Sequence, residues 1–259
     1  MRSGRLWATV LATLGAVLTV GTVGLSPAAA IANGKLAVDG QFPFAVKVTM
    51  TGIPNSGGST RDSACSGALV SSTWVMTAGH CFHDVAGRRV SGATPYPTTA
   101  TLDTADLAAD AGQTRNVVEV RQSSKNDIAL VRLDQPVTDV SPVSVSTTKP
   151  ARGEVLTFAG WGATSSVDPH PSTQLYWGQV QVSTIKTTTV LVKGYYPAPD
   201  TSACPYDSGA PYLRTPAGRT PVLVSVENDG PNCPHSLQET TARVDVIADW
   251  VSSVVTGTP

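Results

Sequence analysis

Trp74-Val-Met-Thr-Ala-Gly-His80-Cys81 is the stretch whose reading decides the fold. Trp74-Val-Met is a short apolar, strand-forming run, and His80 follows it with a cysteine alongside. A histidine held at the end of a strand is placed to move protons. To act as a general base it needs an acid that orients it and a nucleophile within hydrogen-bond reach. Both residue types follow in short motifs of their own: Asp127 in Asn126-Asp-Ile-Ala-Leu130 and Ser208 in Tyr206-Asp-Ser-Gly-Ala-Pro211.

Composition sets the frame around these motifs. The chain has 259 residues, a net charge of −1 and only 14% charged residues, so it has neither the basic stripe of a nucleic-acid binder nor the acidity of a disordered tail. Its 23 glycines and 19 prolines, with many Ser, Thr and Val, favour many short strands and turns, and hence an all-β class. The four cysteines, in a chain with an export signal, imply two disulfides in an oxidising compartment, and arithmetic alone permits three pairings. The sequence has no Cys-x-x-Cys, no phosphate-binding glycine loop and no calcium-loop pattern. His83, His170 and His235 lack ligand spacing and read as surface residues. No metal and no cofactor is expected.

Arg2 and Arg5 precede the apolar run Leu6–Leu25 and the small residues Ser26-Pro-Ala-Ala-Ala30, the pattern of a secretory signal over 1–30. An uncleaved anchor is the competing reading, because the run is long enough to span a bilayer. Gly40–Thr49 reads as a turn and an alternating strand, and Cys65–Val70 with Trp74-Val-Met as a strand pair leading to His80. Residues 83–115 read as surface loops and edge strands. Asp127–Leu133 reads as a short buried strand, and 139–152, broken by Pro142 and Pro150, as the link between two halves. Val155–Gly162 opens the second half. Val244, Ile247, Trp250, Val251 and Val254 stand at helical spacing and predict a closing amphipathic helix.

The order His80, Asp127, Ser208 matches that of the chymotrypsin-type triad, whereas subtilisin-type and α/β-hydrolase enzymes use other orders. With Gly160-Trp-Gly162 and Ile31-Ala-Asn-Gly34 added, the chain resembles the trypsin/chymotrypsin family of serine proteases over nearly everything after Ala30. The resemblance implies two antiparallel six-stranded Greek-key β-barrels with a C-terminal α-helix, the first over 31–145 and the second over 146–259. It implies a secreted, extracellular, monomeric serine endopeptidase acting on protein or peptide substrates, without nucleic-acid partners and free of the membrane once the signal is cut. His80 would be base and acid, Asp127 its orienter and Ser208 the nucleophile. The amides of Tyr206 and Ser208 would form the oxyanion hole, and a freed Ile31 amine would pair with Asp207.

The resemblance further pairs Cys65 with Cys81 and Cys204 with Cys233, and implies a hydrogen bond from Ser225 to Asp127. It places Ser202, Ser225, Val226, Glu227 and Glu239 around the substrate side chain. The chain departs from the family at Tyr206 and Ala210, where Gly-Asp-Ser-Gly-Gly-Pro is usual, and at Glu227 and Glu239, where glycines are usual. The two glutamates either narrow the pocket, charge it for a basic side chain, or point to solvent. A protease-like binding protein and an esterase-like hydrolase are the alternative functions.

Overall fold

Alternation makes the strands. In Thr98–Leu102 the side chains of Thr98, Ala100 and Leu102 are buried while those between them are only partly so. In Tyr176–Ile185 the residues Tyr176, Gly178, Val180 and Val182 face inward in the same way. A strand that buries one face this way is committed to a packed partner, and both sheets close on themselves to supply it. The computed structural model describes residues 30–110, 112–215 and 219–257, so the expected signal segment, 1–29, lies outside the described residues.

The first barrel consists of β1 (Ala45–Pro54), β2 (Thr60–Ser71), β3 (Trp74–Ala78), β4 (Thr98–Leu102), β5 (Gln113–Gln122) and β6 (Ile128–Leu133). They pair antiparallel in the closed order β1-β2-β3-β6-β5-β4. The second consists of β7 (Val155–Gly160), β8 (Tyr176–Ile185), β9 (Thr189–Tyr196), β10 (Pro211–Arg214), β11 (Val222–Asp229) and β12 (Glu239–Arg243). Its closed order, β7-β8-β9-β12-β11-β10, repeats that of the first. The molecule is therefore two closed six-stranded barrels of one topology. Val46, Val48, Met76, Ile128 and Leu130 fill the first; Leu156, Phe158, Val180, Val192 and Tyr212 fill the second, together with Ile31.

Two segments differ from the sequence reading. Residues 83–115 contain a full barrel strand, β4, which pairs with β1 through Met50↔Thr98 and Val48↔Ala100. Of its inward residues only Leu102 is large and apolar, while Thr98 and Ala100 are polar or small, so the strand does not stand out as an apolar run. The closing helix α1 spans Ala248–Thr256, and Val244 and Ile247 precede it, Ile247 in a short 3-10 turn at Asp245–Ile247. Val244, Ile247 and Val251 are buried in one apolar cluster with residues of both barrels, so the C-terminal segment straps the second barrel to the first. Among the described residues no helix is long and apolar enough to cross a membrane.

Candidate active site

Register alone brings His80 to Asp127. β3 and β6 pair as Ala78↔Ile128, so the residues just beyond them, Gly79 and Asp127, stay adjacent, and the Gly79 amide donates to the Asp127 carbonyl at 3.1 Å. The strand then bends into a short 3-10 turn, Gly79–Cys81, and His80 leaves the sheet pointing back at the carboxylate. Its backbone N–H donates to Asp127 Oδ1 at 2.8 Å and its Nδ1 lies 2.6 Å from Oδ2. Since a carboxylate only accepts, the proton sits on Nδ1 and Nε2 is left free as an acceptor. Burial pushes the Asp127 carboxyl up, but the hydrogen bond and charge of His80, with the Arg89 charge next, outweigh it and hold the group below its ordinary range. The Cys65–Cys81 disulfide ties β2 to the residue after His80. Closing that loop contributes about 3 kcal/mol in the chain-entropy account.

Ser208 comes from the loop between β9 and β10 of the second barrel. That loop is pinned on the first barrel: the Ser66 amide donates to the Ser208 carbonyl at 2.9 Å, and the Ser66 hydroxyl donates to the Tyr206 carbonyl at 3.3 Å. Asp207 lies fully buried, accepting from the amides of Cys204 at 2.9 Å and Gly162 at 2.8 Å. A β-carbon on Gly162 would stand 2.3 Å from that carboxyl, which is why the Gly-Trp-Gly turn must lack one there. Burial above all pushes the Asp207 carboxyl well up, and no cation reaches it among the described residues.

The amides of this loop are distributed unevenly. Those of Ala203, Cys204, Asp207, Gly209 and Ala210 all donate to protein acceptors; among the described residues those of Tyr206 and Ser208 donate to none. Tyr206 has φ +75°, a conformation that costs a residue with a side chain about 1 kcal/mol or more. Three contacts hold it there. Its hydroxyl donates to Pro169 O at 3.1 Å, Ser66 holds its carbonyl, and Ala163 N donates at 2.7 Å to the Pro205 carbonyl of the same peptide plane. That last bond turns the Tyr206 N–H to the opposite side, away from Ala163. His80, Ser208 and Tyr206, with Arg61 and His83, line one cavity of about 280 Å³ between the barrels. The Ser208 hydroxyl makes no hydrogen bond among the described residues.

A second cavity of about 160 Å³ lies on the other side of Ser208, lined by Glu227, Asn228, Asp229 and Asn232 among others. Of the five residues that the sequence places around the substrate side chain, Glu227 reaches this cavity; Ser202, Ser225, Val226 and Glu239 are buried outside its lining. The Ser225 hydroxyl lies 2.9 Å from Thr241 Oγ1, and the Ser225–Asp127 hydrogen bond is not formed. Neither glutamate faces solvent: Glu227 is 4% and Glu239 2% exposed. The Tyr212 hydroxyl bridges them at 2.7 and 3.1 Å, and Glu239 also accepts the Ala203 amide at 2.6 Å. Cys204 and Cys233 form the disulfide beside them. The side chain of His235 is only 7% exposed, not on the surface, with Nε2 3.4 Å from Glu239. His83 is half-buried and His170 exposed.

One hydroxyl proton cannot serve two carboxylates. Burial, then the Glu239 charge, pushes the Glu227 carboxyl well up, which favours its protonated form. The sign of the pH effect follows. The unfolded chain releases that proton near the ordinary value of 4.5, the folded chain only at higher pH, so between the two stability falls as pH rises. The slope is up to about 1.4 kcal/mol per pH unit. Glu227→Gln should therefore raise the melting temperature at pH 8 relative to the parent and flatten its decline from pH 5 to 8. Parallel melting curves for the two proteins across that range would contradict the assignment.

Sequence reading missed Arg89, Ser66, Ala163 and Tyr212. Arg89 lies in the loop-rich 83–115 stretch, Ser66 and Tyr212 act through backbone atoms or a hydroxyl in ordinary strand context, and Ala163 acts through its amide just after the Gly-Trp-Gly turn.

Two six-stranded barrels with a His–Asp pair on one, a serine loop on the other and a cavity between them define the class of two-barrel serine endopeptidases. Residues 31–251 match the family model described as Trypsin, and the chain belongs to that family. It is 28% identical to mouse (Mus musculus) Serine protease 56, over 88% of this chain and 39% of that protein. It is 26% identical to Serine protease SP24D of Anopheles gambiae, over 88% of this chain and 82% of the relative. With Trypsin alpha of Drosophila melanogaster it shares 25% identity, over 86% of each. The chain thus spans about two fifths of the length of the mouse relative and most of the length of the two insect ones.

Proposed function

We propose that this chain is a secreted serine endopeptidase that cleaves peptide bonds through an acyl-enzyme on Ser208. The observation that carries the reading is the cavity shared by His80 and Ser208, with two unengaged amides beside the serine and Asp127 behind the histidine. The scissile carbonyl enters this cavity. His80 Nε2 takes the hydroxyl proton as Ser208 Oγ attacks, while Asp127 keeps the Nδ1 proton in place and stabilises the imidazolium. The oxyanion settles on the Tyr206 and Ser208 amides, each such donor contributing on the order of 10²–10³ in rate. His80 then protonates the departing amine as the C–N bond breaks. Water, deprotonated by His80, releases the acid and restores Ser208. Ser208 is not bonded to His80 in this structure, and such bonds tighten as substrate excludes water.

Export and activation belong to the same reading. Cleavage after Ala30 would free the amine of Ile31, whose side chain is fully buried and whose neighbour Ala32 pairs with Ser202 in the second barrel. The ammonium would give buried Asp207 the cation it lacks. Because the signal pattern abuts Ile31, signal peptidase itself would activate the enzyme. N-terminal sequencing of secreted protein should return Ile31, and any other start excludes this route.

One observation favours a second reading, a protease-like binding protein: Glu227, bonded to Tyr212 in the buried cluster with Glu239, lines the small cavity beside Ser208. A fluorophosphonate separates the two. Stoichiometric labelling of Ser208 that disappears in His80→Ala establishes an activated nucleophile; protein beginning at Ile31 that does not label supports the binding role. Cleavage of a peptide library, against hydrolysis of small esters only, separates the endopeptidase from an esterase.

A further inference from the structure

The chain that leaves His80 turns back on the His80–Asp127 pair. Phe82 to Val90 folds as a hairpin, with Val90 N donating to Phe82 O at 3.1 Å and Asp84 N to Arg88 O at 2.9 Å. The fold-back sets Arg89 beside Asp127. Its Nη1 donates to the Asn126 carbonyl at 2.8 Å and to Asp127 Oδ1 at 3.3 Å, and its Nη2 to the Ser123 carbonyl at 3.5 Å. Gly79 leaves the room for this: a β-carbon there would lie 2.7 Å from the guanidinium, 2.7 Å from Asp127 Oδ1 and 2.6 Å from Gln122 Oε1. The Ser225 hydroxyl accepts from Thr241 Oγ1 and makes no bond to Asp127, so among the described residues the donors on Asp127 are His80 and Arg89.

We propose that Arg89 is a positioning residue for the His80–Asp127 pair, fixing the carboxylate's rotation and opposing protonation of the histidine, so that His80 stays a neutral base to lower pH. The inference rests on the serine-peptidase reading. A carboxylate accepting from a planar guanidinium on one oxygen and an imidazole on the other is held against rotation, and the guanidinium reaches Oδ1 at 3.3 Å from a side chain that is 35% exposed, so its charge acts partly screened by water. The other charges nearby are accounted for. Asp84 and Arg88 pair with each other at the hairpin tip, and Arg243 is paired with Asp245 where its carbonyl meets Asn126. Lys125 points to the Val246 carbonyl. Arg61 and His83 line the cavity on the far side of His80, and from the second barrel Tyr206 and Ser208 face it.

The test measures kcat/KM from pH 5 to 9 for the parent, Arg89→Gln and Arg89→Lys, beginning at Ile31, together with an NMR titration of the His80 ring, which does not depend on turnover. In Arg89→Gln the acid limb and the His80 midpoint should move to higher pH by about half to one unit, lowering kcat/KM roughly 3- to 10-fold on that limb. The loss on the alkaline plateau should stay below about threefold, and Arg89→Lys, which keeps the charge, should return most of the shift. An unmoved midpoint in Arg89→Gln, with or without a uniform loss at every pH, overturns the proposal. A shifted midpoint in chains that turn over no peptide upholds the role of Arg89 and rejects the peptidase reading alone.

Discussion

Ser208→Ala is expected to lower kcat/KM for a peptide substrate by about 10⁴- to 10⁶-fold, because the acyl intermediate has no other atom on which to form. His80→Ala should cost a similar factor, since a neutral hydroxyl without a base is a weak nucleophile. The double variant should be scarcely worse than either single one, as the two side chains act as one unit. What remains should be an acceleration of roughly 10³–10⁴ over water, supplied by the two amides and by binding. Burst and steady-state kinetics with a chromogenic peptide read all of this. A Ser208→Ala chain within tenfold of the parent would place the chemistry elsewhere, and additive losses would mean that His80 does not serve Ser208. Little should happen to the fold, because Ser208 contributes its carbonyl, not its hydroxyl, to the seam between the barrels.

The second large effect concerns the other end of the serine loop. A chain that begins at Ile31 is expected to be at least about 10²-fold more active than one that keeps Ala30, and Asp207→Asn should erase that advantage. The extra residue turns a cation into a neutral peptide, and Asp207, fully buried with two amide donors, then has no countercharge. Leaving one partner of a buried pair alone costs about 3–5 kcal/mol, or about two to four powers of ten in the population of the ordered loop. The sign with pH is set by the amine. Pairing raises its value above the ordinary ~8, so the contribution is complete below that pH and lost as pH rises through the raised value. Activity of the Ile31 chain should therefore fall on the alkaline side, with loop order lost in parallel. Equal activity of the two chains would remove the ammonium from the account.

Much of the site was legible because the residues that make it stand in local motifs. His80 follows a strand whose pairing with Asp127–Leu133 is written in two short apolar runs, and adjacency of their ends brings imidazole and carboxylate together. Asp207 and Ser208 sit in one tight loop, so naming the loop names both. Arg89 and Tyr212 were not legible for a common reason. Each acts on a partner far along the chain, 38 residues away for Arg89 and Asp127 and 27 for Tyr212 and Glu239, and neither belongs to a motif. The two glutamates show the same limit. Their positions were readable, but whether a carboxylate is charged, neutral or solvated depends on what packs against it.

By itself, then, the chain's sequence determined an all-β protein, through its resemblance one of two barrels, the order of His80, Asp127 and Ser208 along it, and the end of the strand on which the histidine lies. The all-β class follows from composition, side-chain alternation and turn residues, which act over a few residues at a time, and the two barrels from the resemblance carried by the motifs around His80, Asp127 and Ser208. Only the tertiary structure decided that Arg89 rather than Ser225 bonds Asp127, that the Pro205–Tyr206 peptide is anchored by Ala163, and that Glu227 and Glu239 meet at the Tyr212 hydroxyl away from solvent. Such outcomes depend on burial and on hydrogen-bond geometry between distant segments, quantities that exist only once the barrels have closed and water has left the seam.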